Sequence, residues 1–305
     1  MANPTLPERA RGKLVRAWHE MSFPVWRAAW GRGLTVDEPI QLVGCDRSGT
    51  SIISEMFCLH PHVFDFRATI RFWDRRALSD PDLDHHKTAD DLDDSTKERI
   101  RSRFEFERRR ARAQRVFNQS NHNSVRMGYV RAVFPDVRFI HAIRDGRAVV
   151  ESIVRLMKRD RFRRRDPMGW FTKPPRWREL LCHDPVEQAA RQWRAVVEHV
   201  LGDAPELGDR YVACRYEDVC RDCRGEIGRL WRFCGLPVDE RVLALLPERL
   251  RSENEKWQTV LTREQIGIIN EIQTPLLQRL RYDVTGGDPE AAMSSVHTQS
   301  RGVRR

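Results

Sequence analysis

Asp46-Arg-Ser-Gly-Thr-Ser51 puts an arginine, a glycine and three hydroxyls into six residues. Between an apolar run and a helical one, such a loop offers backbone N–H groups, hydroxyls and a guanidinium to one anion. The same residues also suit a tight turn with a serine as helix cap. The loop lacks the Gly-Lys-Ser/Thr and long glycine spacing of a nucleoside-triphosphate loop, which argues against ATP or GTP hydrolysis. A second segment, Phe139-Ile-His-Ala-Ile-Arg-Asp-Gly-Arg147, ends an apolar run on Arg144, and Ser152 follows eight residues later. On a helix starting near Gly146, Ser152 can point back toward Arg144, so one anion receives both a guanidinium and a hydroxyl.

Strands must hold these loops. Pro39 to Cys45 reads as a buried strand, and Ile52 to Leu59 resumes at helical spacing. Val137 to Ile143 is a second strand, followed by a helix through Met157, and Arg210 to Cys214 is a third. Helices are expected over 7–33, broken at Pro24, with Trp26 on the inner face, and over Thr96–Phe117 with Phe104, Phe106 and Val116 inward. Others are expected over Pro185–Leu201 around Trp193, and near Gly225–Cys234, Arg241–Leu246 and Arg263–Leu280. Alternating strands and helices call for an α/β fold, a parallel sheet flanked by helices. Ligands of such sheets sit beyond the carboxyl ends of the strands, where Arg47 and Arg144 share a rim.

The reading is of one domain over 1–283, including an N-terminal helical extension (1–38). An acidic excursion at 79–98 holds seven Asp and is expected to be solvated. An Arg/Trp-rich loop at 158–178 is expected to act as a lid, and the tail 284–305 to be disordered.

With 305 residues, 40% of them hydrophobic, the chain can bury a sizeable core, and nine Trp and thirteen Phe require one. No run approaches the roughly 18–20 apolar residues of a membrane span, and the N-terminus lacks a secretory pattern. A soluble, cytoplasmic protein is expected. Seven scattered cysteines suit reduced thiols. Cys220-x-x-Cys223 lacks the second ligand pair of a zinc site, so no metal is expected. The net charge of +10 is nearly all arginine, whose planar fork suits phosphate, sulfate or carboxylate. No nucleic-acid-binding pattern accompanies it, and no nucleic-acid partner is expected.

In motif order and content the chain resembles the sulfotransferases that use 3′-phosphoadenosine 5′-phosphosulfate (PAPS), closest to the bacterial and protein-tyrosine branch. The resemblance rests on Arg47-Ser-Gly-Thr-Ser51, His60-Pro61, Phe134-Pro-Asp-Val-Arg-Phe-Ile140, Arg144 with Ser152, Arg215-Tyr-Glu-Asp218 and Lys256-Trp257. It implies a P-loop-type fold with PAPS as sulfuryl donor and 3′-phosphoadenosine 5′-phosphate (PAP) as product. It implies that Arg47, Ser48, Gly49, Thr50 and Ser51 hold the 5′-phosphosulfate, and that Arg144 and Ser152 hold the 3′-phosphate. Tyr216, Lys256 and Trp257 would close on the nucleotide. Arg47 would also stabilise charge on the bridging oxygen.

The pattern breaks at two places. The catalytic Glu that relatives often carry after His-Pro falls on Ala68, before Thr69, and the Lys of their Asn-Lys-x-Pro falls on Gln119. His122 is the first replacement base, its ordinary pKa suiting proton removal near neutrality; it also reads as a loop histidine bonded to backbone. Asp65 and Asp74 are further candidates. His60 reads as a helix-end residue, His141 as packed in the sheet, and His85 and His86 as solvated. The implied acceptor is a hydroxyl, or an amine, of a small molecule or glycan. Arg161, Arg163, Arg164 and Arg165 with Trp170 and Trp177 either cover it or form a solvated basic loop. The alternative function is a protein that binds PAPS or PAP and has lost catalysis, and behind it a nucleic-acid-binding protein.

Overall fold

The computed structural model describes residues 22–29, 38–74, 80, 82–159 and 169–284. Five strands form one parallel sheet: β1 (Ile40–Gly44), β2 (Val63–Asp65), β3 (Arg115–Gln119), β4 (Arg138–Ile143) and β5 (Tyr211–Arg215), in the order β2-β3-β1-β4-β5. β1 is buried throughout, as a central strand covered on both faces must be. Its two neighbours are β3, with Ile40 opposite Phe117, and β4, with Gly44 opposite Ala142. The chain therefore leaves β1 and β4 side by side, and the loops after them open at the same end of the sheet.

The helices are α1 (22–29), α2 (Thr50–Phe57), α3 (Ile70–Trp73), α4 (Asp94–Ala111), α5 (Met127–Val133), α6 (Gly146–Met157) and α7 (Pro185–Asp203). They continue with α8 (Tyr216–Arg221), α9 (Cys223–Phe233), α10 (Glu240–Leu243), α11 (Lys256–Val260) and α12 (Arg263–Arg279). Period-two alternation along β1 and β4 sends Ile40, Leu42, Ile140 and Ala142 to one face, where Ile53 and Phe57 of α2 and Trp231 of α9 pack. Val43 and Phe139 face the other way, toward Phe104 of α4 and Val130 of α5. α6, α7 and α12 form a third apolar cluster around Trp193 and Val149. Trp231 Nε1 donates to the Phe57 carbonyl at 3.0 Å, satisfying a helix-end acceptor of α2 from within the core.

Local signals set the helix starts. Asp184 accepts from the Val186 and Glu187 N–H groups with Pro185 in the first turn of α7, and Asp145 accepts from Arg147 N at the start of α6. Pro24 does not break α1. The described residues are helical on both sides of the proline, from 22 to 29.

Other expectations are corrected. The helix expected over 96–117 ends at Ala111, where Arg112 turns left-handed (φ 53), and the chain re-enters the sheet as β3. Val116 is buried as expected, but from a strand. The acidic segment is not simply solvated: His85 is buried, its N–H donating to the Lys173 carbonyl at 2.7 Å. Asp84 and Asp91 of that segment, with Asp74, supply negative potential to Arg126, a fully buried guanidinium. Trp170 and Trp177 are buried against each other, their ring centroids 5.9 Å apart, and so belong to the protein interior. The Arg161–Arg165 run and the tail from 285 lie outside the described residues. No helix among the described residues is long and apolar enough to cross a membrane.

Candidate active site

The loop after β1 is tightly wound. Ser48 N donates to the Cys45 carbonyl at 3.1 Å, Arg47 is left-handed (φ 70), and so is Gly49 (φ 86). α2 starts at Thr50 with no acidic residue in its first turn, leaving its N-terminal N–H groups and dipole for an anion. Ser48 is buried, and its hydroxyl has no hydrogen-bond partner among the described residues.

The two arginine motifs meet. Arg47 Nε donates to Ser152 Oγ at 3.0 Å, which joins the loop after β1 to α6 across 105 residues. Arg144 donates from Nη1 to the Arg47 carbonyl (3.1 Å), from Nη2 to the Glu253 carbonyl (2.9 Å) and from Nε to Asn254 Oδ1 (3.1 Å). Its guanidinium also lies over the Tyr216 ring at 4.5 Å. Tyr216 in turn underlies Gly49, where any Cβ would fall inside contact distance of the ring. Loss of solvent, followed by the positive charges of Arg155 and Arg144, pushes the Arg47 pKa below its ordinary value. The cleft among these groups measures about 370 Å³ and is lined by Arg47, Arg144, Arg155, Ser152, Tyr216 and the first turn of α2.

Several lining residues were not among the sequence candidates, Arg155 and Asp46 foremost. Arg155 lies three residues beyond Ser152 on α6, a helical spacing that could have found it. Asp46 precedes Arg47; its Oδ1 accepts from Asn121 Nδ2 and its Oδ2 from Thr172 Oγ1, each at 2.8 Å. Burial raises its pKa against the lowering effect of those bonds.

Other candidates are placed elsewhere. The structure does not bring His122 to the cleft lining; its neighbour Asn121 is there instead. The His122 ring packs against that of His85, centroids 4.6 Å apart. His85 Nδ1 accepts from Lys173 N at 3.0 Å, and burial with nearby positive charge pushes its pKa down to about 2. Trp257 is buried in the α6–α7–α12 cluster under the Arg147 guanidinium, 4.3 Å from the ring. Lys256 pairs with Glu253, which forms part of the cleft wall. Gln119 Nε2 donates to Asn121 Oδ1 at 3.0 Å and lies 3.5 Å from Thr50 Oγ1. Ala68 is buried among apolar side chains.

Asp65 pairs with Arg67 at 2.8 Å and Asp74 with Lys87 at 3.5 Å. His60 Nε2 donates to the Pro237 carbonyl at 2.9 Å, and His141 bonds the Tyr211 hydroxyl at 2.8 Å inside the sheet. Burial lowers the pKa of both histidines, that of His141 to about 3. Cys220 and Cys223 are buried free thiols, and the described residues contain no group of three or more His, Cys, Asp and Glu that could hold a metal.

Protein-tyrosine sulfotransferase A of Caenorhabditis elegans is 22% identical over 199 residues, 58% of this chain and 47% of that protein. The omega-hydroxy-beta-dihydromenaquinone-9 sulfotransferase of Mycobacterium bovis is 28% identical over 166 residues, 53% of this chain and 39% of that protein. The chain thus spans less than half the length of the curated relatives it matches. Among solved structures, sulfotransferase STF9 from Mycobacterium avium superposes with a TM-score of 0.56 at 16% identity, covering 86% of this chain and 82% of that one. The sulfotransferase domain of the curacin biosynthetic pathway gives 0.51 at 14% identity, covering 82% and 99%. These likenesses agree on the P-loop-like fold. The model of the sulfotransferase family matches residues 39–240, from the first residue before β1 to the start of α10, and the chain belongs to that family.

Proposed function

We propose that the chain transfers a sulfuryl group from PAPS to a hydroxyl of a small molecule or glycan, with PAP leaving the cleft. The observation that carries this is the meeting of Arg47, Arg144 and Ser152, from two distant loops, at the open end of the sheet. The residues suit the nucleotide. The cleft is rich in arginine, α2 presents its N-terminus, and a buried serine hydroxyl lacks a partner among the described residues. Arg47, Ser48, Gly49, Thr50 and Ser51 hold the 5′ end in this reading, and Arg144 with Ser152 holds the 3′-phosphate over Tyr216. When bound, PAPS supplies the activated sulfuryl group. Arg47 then faces the oxygen that gains charge as the group leaves, which is where a preorganised cation lowers the barrier most. The family implies sulfuryl transfer. The named relatives act on protein tyrosine and on a hydroxylated menaquinone, so a hydroxyl acceptor is the common chemistry. Seven free thiols support a cytoplasmic setting.

A second reading is favoured by Ala68 and Gln119, where relatives carry a catalytic acid and lysine: a protein that binds the nucleotide without turning it over. Release of PAP from PAPS in the presence of an acceptor separates the two.

Thermal unfolding with PAP and with ATP tests the nucleotide assignment. At 100 times its Kd, PAP should stabilise the protein by about 2.7 kcal/mol, and ATP at equal concentration by much less. Arg144→Ala should erase the difference. Equal shifts from the two nucleotides would remove the basis for assigning Arg144 to a 3′-phosphate.

A further inference from the structure

The sulfotransferase reading above leaves the proton of the acceptor hydroxyl without an obvious recipient, and the following rests on that reading. We propose that Asp46 is the general base. Among the described residues, two carboxylates line the cleft. Glu253 is engaged by Lys256, whereas Asp46 is held by neutral donors, Asn121 Nδ2 and Thr172 Oγ1. Each of its oxygens accepts one of these bonds and keeps a lone pair for a proton. The orientation of Asn121 is itself fixed, because Gln119 Nε2 donates to its Oδ1 at 3.0 Å and turns its Nδ2 toward Asp46. Gln119, standing where relatives carry a lysine, is thus a positioning residue for the carboxylate. Base and cation are consecutive residues of one strained loop: Asp46 on the side of Asn121 and Thr172, Arg47 turned to Ser152 on α6.

The step balances without a further reactant. The acceptor oxygen bonds to sulfur as its O–H bond breaks toward Asp46. The bond from sulfur to the nucleotide oxygen breaks, its electron pair staying on the phosphate beside Arg47. Asp46 then returns the proton to solvent.

The raised pKa of Asp46 agrees with this role, since a more basic carboxylate takes a proton more readily. It also has a consequence for stability. A carboxylate whose folded pKa lies above its unfolded value destabilises the fold once ionised, and this cost vanishes as pH falls through the folded pKa. The titratable groups coupled to it are Arg47 and Cys45 on its own segment, and His122 and Lys173 follow its hydrogen-bond donors Asn121 and Thr172 in the chain. Across the cleft are Arg144, Arg155 and Glu253. Asp46→Asn isolates its contribution from theirs and keeps its size.

Two measurements on the full chain test the proposal: PAP affinity by calorimetry, and PAP release from PAPS with 4-nitrophenol, 1-octanol or water alone as acceptor. Asp46→Asn should slow PAP release by about 10²–10⁴-fold while PAP affinity changes less than about threefold. The rate loss should fall on Asp46→Asn rather than on His122→Asn. Parent-like rates in Asp46→Asn, or a loss confined to His122→Asn, would each overturn the proposal. Failure of the parent itself to bind PAP would instead defeat the sulfotransferase reading on which it rests.

Discussion

Arg47→Ala should lower the turnover of bound PAPS by about 10²–10³-fold, the usual cost of removing one donor from a developing oxyanion. PAP affinity should fall by less than about tenfold, because the loop N–H groups and Arg144 remain. The asymmetry follows from where the charge sits. Arg47 stands beside Arg144 and Arg155, and loss of solvent together with the repulsion of those charges lowers its pKa. Negative charge appearing on the bridging oxygen relieves that repulsion only as the sulfuryl group departs, so the benefit belongs to the transition state. Arg47→Lys should recover part of the rate, since it restores the charge but not the planar fork that also reaches Ser152 Oγ. Single-turnover kinetics with calorimetric PAP binding read the two quantities separately. Equal losses in affinity and rate would make Arg47 a binding residue and no more.

The loops that hold Arg47 and Arg144 were legible because their signals are local. An apolar strand, a loop with Gly49 and a helical pattern lie within some twenty residues, and the same holds for β4 and α6. The sheet rule alone puts both arginines on one rim. β2 and β3 were hidden for physical reasons. β2 is three half-buried residues with no alternation to read. β3 follows directly on a long charged helix, and its polar Asn118 looks unlike a buried strand residue. Asn118 is tolerated because its amide donates to Phe66 O and accepts from Trp73 Nε1, partners 45 to 52 positions away.

The candidate base shows the limit most plainly. Sequence favoured His122 by its chemistry, but the 3₁₀ turn Asn121–Val125 decides which residue faces the cleft, and it presents Asn121. A one-residue difference in a turn is invisible to motif spacing. Asp46 was overlooked because a carboxylate inside an anion-binding loop looks unfavourable until Asn121 and Thr172, supplied from elsewhere in the chain, are seen to hold it. Lys256-Trp257 was read as a cofactor-closing pair from its resemblance alone. In the fold the tryptophan side chain serves the packing of α6, α7 and α12.

Gly49→Ala should abolish nucleotide binding although it adds one methyl group. Gly49 is left-handed at φ 86, a conformation that costs an L-residue roughly 1–3 kcal/mol. The added Cβ would also fall inside the contact distance of Tyr216 Cδ2. That ring cannot easily give way, because Tyr216 is buried and the Arg144 guanidinium lies over it, itself fixed by three hydrogen bonds. Overpacking of this kind costs typically another 1–3 kcal/mol. The least costly response is for the loop to open, which disperses its N–H groups and separates Arg47 from Arg144. PAP affinity should therefore drop by at least about 10²-fold, the equivalent of some 2.7 kcal/mol, and Tm should fall with it. The two causes can be separated by adding Tyr216→Ala. Relief of the steric part should restore much of the stability lost in Gly49→Ala, while the backbone cost remains, giving a coupling energy of about 1–3 kcal/mol between the two positions. Strict additivity of the pair, or a Gly49→Ala protein that binds PAP like the parent, would mean that the loop does not need the close seat on Tyr216 that the structure gives it.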